Sequence, residues 1–203
     1  MAFISLVLVV GISVAVSLVT SQDPVAPASA DDDAVVAALP GLDDETEVVG
    51  NIPEIGVLSA EREEPDSADW EALLPRLLEL SEANPGDRNI QRKLAIAYYN
   101  LGQLDKALGI YAQLLDDEED PVLRSRLGNT LRDMGDAAGA EEAYRQALDE
   151  DPSLPATYIN LAELLWRAGR DDEALSVVDD GLLNVSEDRI EGLRAAREAL
   201  VGN

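Results

Sequence analysis

The sequence predicts an all-α chain: an α-solenoid of about three helix pairs, with half a unit before them and a capping helix after. Three observations carry that prediction. First, residues recur at spacings of 33 and 34: Leu94-Ala95, Leu127-Gly128 and Leu161-Ala162; then Gly102, Gly135 and Gly169; then Ala107, Ala140 and Ala174. Second, apolar residues inside a unit fall four apart, as in Leu123, Leu127 and Leu131, which is one face of a helix. Third, glycine follows the first apolar face of each unit and prolines sit near the unit boundaries, where they end or start helices. A fixed period of this length implies supersecondary units that cover one another's apolar faces by stacking.

The elements follow in chain order. Residues 1–21 carry no charged side chain through Thr20, and Ala2–Val19 is apolar apart from Gly11 and three serines. About 20 apolar residues cross the hydrocarbon core of a bilayer as a helix. The stretch reads as a transmembrane anchor, with a secretory signal as the alternative. No basic residue precedes it, which disfavours the signal, whereas Ala28-Ser29-Ala30 supplies a small-residue cleavage triplet. Residues 22–66 contain Pro24, Pro27, Pro40, Pro53 and Pro65 with Asp31-Asp32-Asp33 and Asp43-Asp44-Glu45. Low hydrophobicity with one-sided charge reads as a disordered acidic tether.

Residues 67–203 form the repeat domain. Trp70, Leu73, Leu77 and Leu80 make the apolar face of a half-unit helix, within which Pro75 is expected to cause a kink or delay the start. Asn84-Pro85-Gly86-Asp87 closes that half unit. Full units span about 88–120, 121–154 and 155–188. In the second, Gly128 and Ala140 are small enough for two helices to approach closely, and Tyr144 fills the space beside them. Gly135 ends the first helix in a left-handed conformation, and Asp151-Pro152 ends the unit. Residues 189–203 read as a cap, with Ile190, Leu193, Ala196 and Leu200 on one face.

Composition narrows the function. The 203-residue chain has 41 acids against 15 bases, a net charge of −26, and neither cysteine nor histidine. That argues against nucleic-acid binding, disulfides, thiol or histidine catalysis and Cys/His metal sites. No cofactor and no small-molecule substrate are expected. The charge is uneven: ten acids and no base precede Arg62, with 31 acids and 15 bases from there on. Lysine occurs only at Lys93 and Lys106. High acid with low lysine fits hydration in concentrated salt and equally an ordinary acidic protein.

The small–bulky pattern resembles the tetratricopeptide repeat (TPR) family. It is carried by Leu94, Ala95, Tyr98, Gly102, Ala107 and Tyr111, then Leu127, Gly128, Leu131, Gly135, Ala140, Tyr144, Ala147 and Pro152. Leu161, Ala162, Leu165, Gly169 and Ala174 carry it in the third unit. There Val178 replaces an aromatic, Gly181 an alanine and Ser186 a proline, which implies a modified terminal repeat. The resemblance implies that first helices line a concave groove holding a protein or peptide partner. The candidate contacts are Arg92, Lys93, Tyr99, Arg126, Asn129, Arg132, Asn160, Trp166 and Arg167. Seven bases and only Asp133 and Glu163 as acids lie in the first-helix windows, so a basic strip able to hold carboxylates is expected. The family's clamp for a C-terminal carboxylate is met only in part by Arg92, Asn129 and Asn160, and Ile96 and Glu163 depart from it.

The resulting expectation is a non-enzymatic, membrane-anchored TPR scaffold or adaptor, active in assembly of a membrane or envelope complex, with its repeat domain outside the cytoplasm. Alternatives are an accessory subunit permanently packed in a membrane complex, and a secreted or periplasmic protein after signal cleavage.

Overall fold

The computed structural model describes residues 67–202, and the expected anchor (1–21) and tether (22–66) lie outside the described residues. Eight α-helices run in antiparallel succession: α1 (Ser67–Ala83), α2 (Arg88–Asn100), α3 (Leu104–Asp117), α4 (Pro121–Asp133), α5 (Ala137–Glu150), α6 (Pro155–Arg167), α7 (Asp171–Asn184) and α8 (Glu191–Gly202). A 3₁₀ turn, Glu187–Arg189, precedes α8. Each helix packs on the next, and the first helices α4 and α6 also touch, as does α6 with α8. That is the contact order of a solenoid, in which each unit meets only its neighbours.

Local chemistry sets the boundaries. The Asp87 carboxylate accepts from the Asn89 and Ile90 amides to start α2. Asp120 accepts from Leu123 N–H, with Pro121 at the first turn of α4, and Asp136 accepts from Gly139 N–H at α5. These carboxylates satisfy amides that have no intrahelical partner. Gly102, Gly135 and Gly169 take φ of 68°, 87° and 72°, the left-handed turn that closes α2, α4 and α6 against the next helix.

Two expectations need correction. Proline does not delay α1: the helix starts at Ser67 and runs through Pro75. Trp70 and Leu77 are buried on either side of that proline, and their packing offsets the lost backbone hydrogen bond. The cap begins at Glu191, because Glu187–Arg189 forms the tighter turn. The third unit keeps its second helix despite its departures, since α7 is 14 residues long like α3 and α5. Gly181 is needed there, because a Cβ would lie 2.9 Å from Tyr158 Cγ and 3.0 Å from Leu193 Cδ2. The small residue lets the cap seat against α6 and α7.

Two apolar clusters fill the interior. One joins Trp70, Leu77, Leu94, Tyr111 and Leu123; the other joins Tyr144, Leu161, Leu165, Val178 and Leu193. Between them α4 and α6 meet through buried polar side chains: Ser125 and Asn129 on α4, Thr157 and Asn160 on α6. All of Ala156–Leu165 is buried, because α6 is flanked by α4, α5, α7 and α8.

Candidate functional site

The first helices α2, α4 and α6 place equivalent positions 33 or 34 residues apart: Ile96, Asn129 and Glu163, then Tyr99, Arg132 and Trp166. Along this face the nine expected contact residues divide into two groups.

Arg126, Asn129 and Asn160 are buried, so they act inside the domain. Asn129 Oδ1 accepts from the Tyr144 hydroxyl at 2.7 Å and from Asn160 Nδ2 at 2.9 Å. Beside them Thr157 Oγ1 donates to Ser125 Oγ at 2.9 Å, and Thr130 Oγ1 donates to the Arg126 carbonyl. This network ties unit two to unit three and satisfies polar atoms that would otherwise be costly to bury. Its sequence signal was the Tyr144 hydroxyl: a tyrosine buried beside Gly128 needs an acceptor, and Asn129 is the adjacent residue.

The remaining six lie at or near the surface. Lys93, Tyr99 and Trp166 are half-buried, and Trp166 rests against the second apolar cluster. Tyr99 donates its hydroxyl to Asp133 Oδ2, and Arg132 Nε donates to Asp133 Oδ1 at 2.8 Å. Arg92 pairs with Asp120, and Arg167 with Glu163. Arg92, Arg132 and Arg167 of the basic strip are therefore each paired with an acid. Arg88 reaches Asp117 and Glu118, and Arg124 reaches Glu150. Those partners sit at helix ends and in inter-unit turns, outside the first-helix windows, so counting charges per helix could not reveal them.

Burial, aided by the bond to Asp133, raises the Tyr99 pKa. Burial also raises Tyr144, against the opposing effect of Arg132, and pushes Tyr111 up to about 12. For Arg132 burial works against the charge, but the hydrogen bond to Asp133 and the surrounding groups prevail and raise it. The tyrosine hydroxyls thus stay donors at neutral pH. A crevice of about 10 Å³ lined by Arg92, Ile96, Tyr111, Asp120, Val122, Leu123 and Arg126 has room for one water. Among the described residues no group of three or more acids could hold a metal ion, and no helix is long and apolar enough to cross a membrane.

Stacked helix hairpins with small residues at the crossing, a tyrosine beside them and a left-handed glycine between the helices define a helical-repeat protein of the partner-holding class. Tetratricopeptide repeat models match residues 91–119 and 131–196, and those stretches of the chain are tetratricopeptide repeats. It is similar to the photosystem I assembly protein Ycf3 of Rippkaea orientalis, 33% identical over 109 residues covering 45% of this chain and 63% of that protein. Ycf3 of Synechococcus elongatus is 35% identical over 104 residues, covering 42% of this chain and 60% of that one. The cellulose synthase operon protein C of Pseudomonas fluorescens is 33% identical over 109 residues, 49% of this chain but 8% of that protein. The chain thus spans less than two thirds of the length of these relatives. Among solved structures a MamA designated AMB-1 superimposes with TM-score 0.53 at 18% identity, over 67% of this chain and 74% of that one. A second MamA structure does so with TM-score 0.53 at 15% identity, over 66% and 79%. At such identities the likeness is one of fold.

Proposed function

We propose that this chain is a non-enzymatic assembly scaffold that holds a protein or peptide partner along the face built by α2, α4 and α6. Residues 1–21 fix it to a membrane, residues 22–66 act as an acidic tether, and the repeat domain works outside the cytoplasm. The supporting observation is the half-exposed row of Lys93, Tyr99, Arg132 and Trp166, set over a floor held rigid by the Asn129–Tyr144–Asn160 network. Such a face offers aromatic anchors and charged groups in fixed register, whereas the Arg92 crevice is too small for a substrate. The Ycf3 relatives, named for assembly of photosystem I, support an assembly role. Tethering would raise the effective concentration of a membrane partner, so modest affinity suffices.

The test is cross-linking mass spectrometry on the full chain, purified with its partners in mild detergent, alongside a Lys93→Glu/Tyr99→Ala variant. The reading predicts cross-links concentrated on α2, α4 and α6 and loss of the partner from the folded variant. Cross-links confined to α3, α5 and α7, with the partner retained, would refute it. A stoichiometric complex that survives high salt would make the chain an accessory subunit instead.

A further inference from the structure

On α6 a carboxylate lies buried beneath an exposed arginine. The Glu163 side chain is 3% exposed, and its Oε1 takes Arg167 Nη2 at 2.6 Å, while the Arg167 side chain is 58% exposed. The second oxygen, Glu163 Oε2, is buried and no protein donor reaches it. An ionised acid withdrawn from water is costly unless its lone pairs are engaged. Arg167 thus satisfies half of the carboxylate and covers it.

The position carries further meaning. Glu163 aligns with Ile96 and Asn129, 33 and 34 residues apart, on the same face of successive first helices. At Asn129 the equivalent oxygen is already used twice, by Tyr144 and Asn160. At Glu163 one acceptor remains. The field around it favours a cation: residues 67–202 hold 28 acids and 14 bases, and the arginines at 92, 124 and 132 are already bound to neighbouring carboxylates. A negative partner would meet that field as repulsion, and a positive one would be steered in.

We propose that Glu163 anchors a lysine or arginine side chain of the docked partner segment, and that Arg167 occupies this place in the free protein. The proposal rests on the partner-holding reading of the α2–α4–α6 face. On docking, the partner's cation engages both Glu163 oxygens and Arg167 turns to solvent, where it already lies in large part. No charge is left buried and unpaired in either state, which makes the exchange feasible. Because Arg167 competes for the carboxylate, the docking-competent state is only part of the free population, and removing Arg167 lifts that handicap.

The test uses the full chain and two end-blocked, fluorescein-labelled twelve-residue peptides, identical except that one carries lysines where the other carries glutamates. Affinities are read by fluorescence anisotropy at moderate salt. The lysine peptide is expected to bind in preference. Arg167→Ala should tighten it several-fold, and Glu163→Gln should weaken it about tenfold, as expected for one charge-assisted hydrogen bond. The Glu163→Gln/Arg167→Ala double variant should bind like Glu163→Gln alone, and Glu198→Gln, a surface control on α8, should change nothing. Circular dichroism checks folding; if Glu163→Gln does not fold, the gain in Arg167→Ala decides. Preference for the glutamate peptide, no gain in Arg167→Ala, or equal losses in Glu163→Gln and Glu198→Gln would each overturn the proposal. If that happens while natural partners still cross-link to α2, α4 and α6, only this inference falls. If they cross-link elsewhere, the docking face falls with it.

Discussion

Replacing Gly128 with alanine sets two physical effects against each other. An alanine in a helix interior is favoured over glycine by about 1 kcal/mol. Here, however, the new Cβ would stand 2.6 Å from Tyr144 Cε1, 2.7 Å from Cδ1 and 3.2 Å from Cζ. The ring cannot retreat easily: Tyr144 is fully buried and its hydroxyl is held by Asn129. Overpacking of this kind costs roughly 1–3 kcal/mol, and breaking the Tyr144–Asn129 bond would add about 1–3 kcal/mol by leaving buried groups unpaired. Subtracting the propensity gain leaves a net destabilisation of about 3 kcal/mol, a melting temperature lower by about 10 °C for a domain of this size. The assay is thermal and urea unfolding of the full chain followed by circular dichroism at 222 nm. Gly109 on α3 is the internal control, since nothing lies within 4 Å of its added Cβ; Gly109→Ala should stabilise by about 0.5–1 kcal/mol. The same substitution should therefore have opposite signs at two helical positions. A Gly128→Ala variant as stable as the parent would refute the close packing of α4 on α5.

Other perturbations test the caps and charges. Gly135→Ala should destabilise by about 1–2 kcal/mol, because φ of 87° is a left-handed conformation that a Cβ disfavours; urea midpoints will show it. Asp87→Ala removes the acceptor for two amides at the start of α2 and should cost about 1 kcal/mol, read in the same titration. Folding lowers the Glu141 pKa, first through the hydrogen bond from Arg170. Ionised Glu141 therefore favours the native state above its ordinary value of 4.5, and that contribution drains away as pH falls below it. An acid titration of melting temperature should fall less steeply below that pH in Arg170→Ala than in the parent, and an identical slope would dismiss this pair as a source of acid sensitivity.

Most of the fold was legible because its signals are local and repeated. Gly102, Gly135 and Gly169 mark chain reversals that any L side chain would strain. Gly128 with Tyr144 announced a close helix crossing, and the structure puts the ring against that glycine. Residues with an apolar period of four became buried faces, since a helix has little else to do with them. The site was less legible. The register of Arg126, Asn129 and Asn160 on the first helices assigns them to the groove surface, yet they are interior. Register says which way a position faces but not whether the neighbouring helix covers it. The arginines looked unopposed because their acids sit at helix ends and in turns, one neighbouring helix away.

Periodicity, helix punctuation and small-residue positions are properties of the chain within one unit, and they specified the helix pairs, their number and their stacking. Ion-pair partners, the polar seam between the two apolar clusters and the half-satisfied carboxylate of Glu163 depend on how closely α6 is surrounded by α4, α5, α7 and α8. Those distances arise when units from different parts of the chain dock. Side chains of the same type at equivalent positions then divide into buried hydrogen-bonding groups and exposed partners according to what lands on top of them.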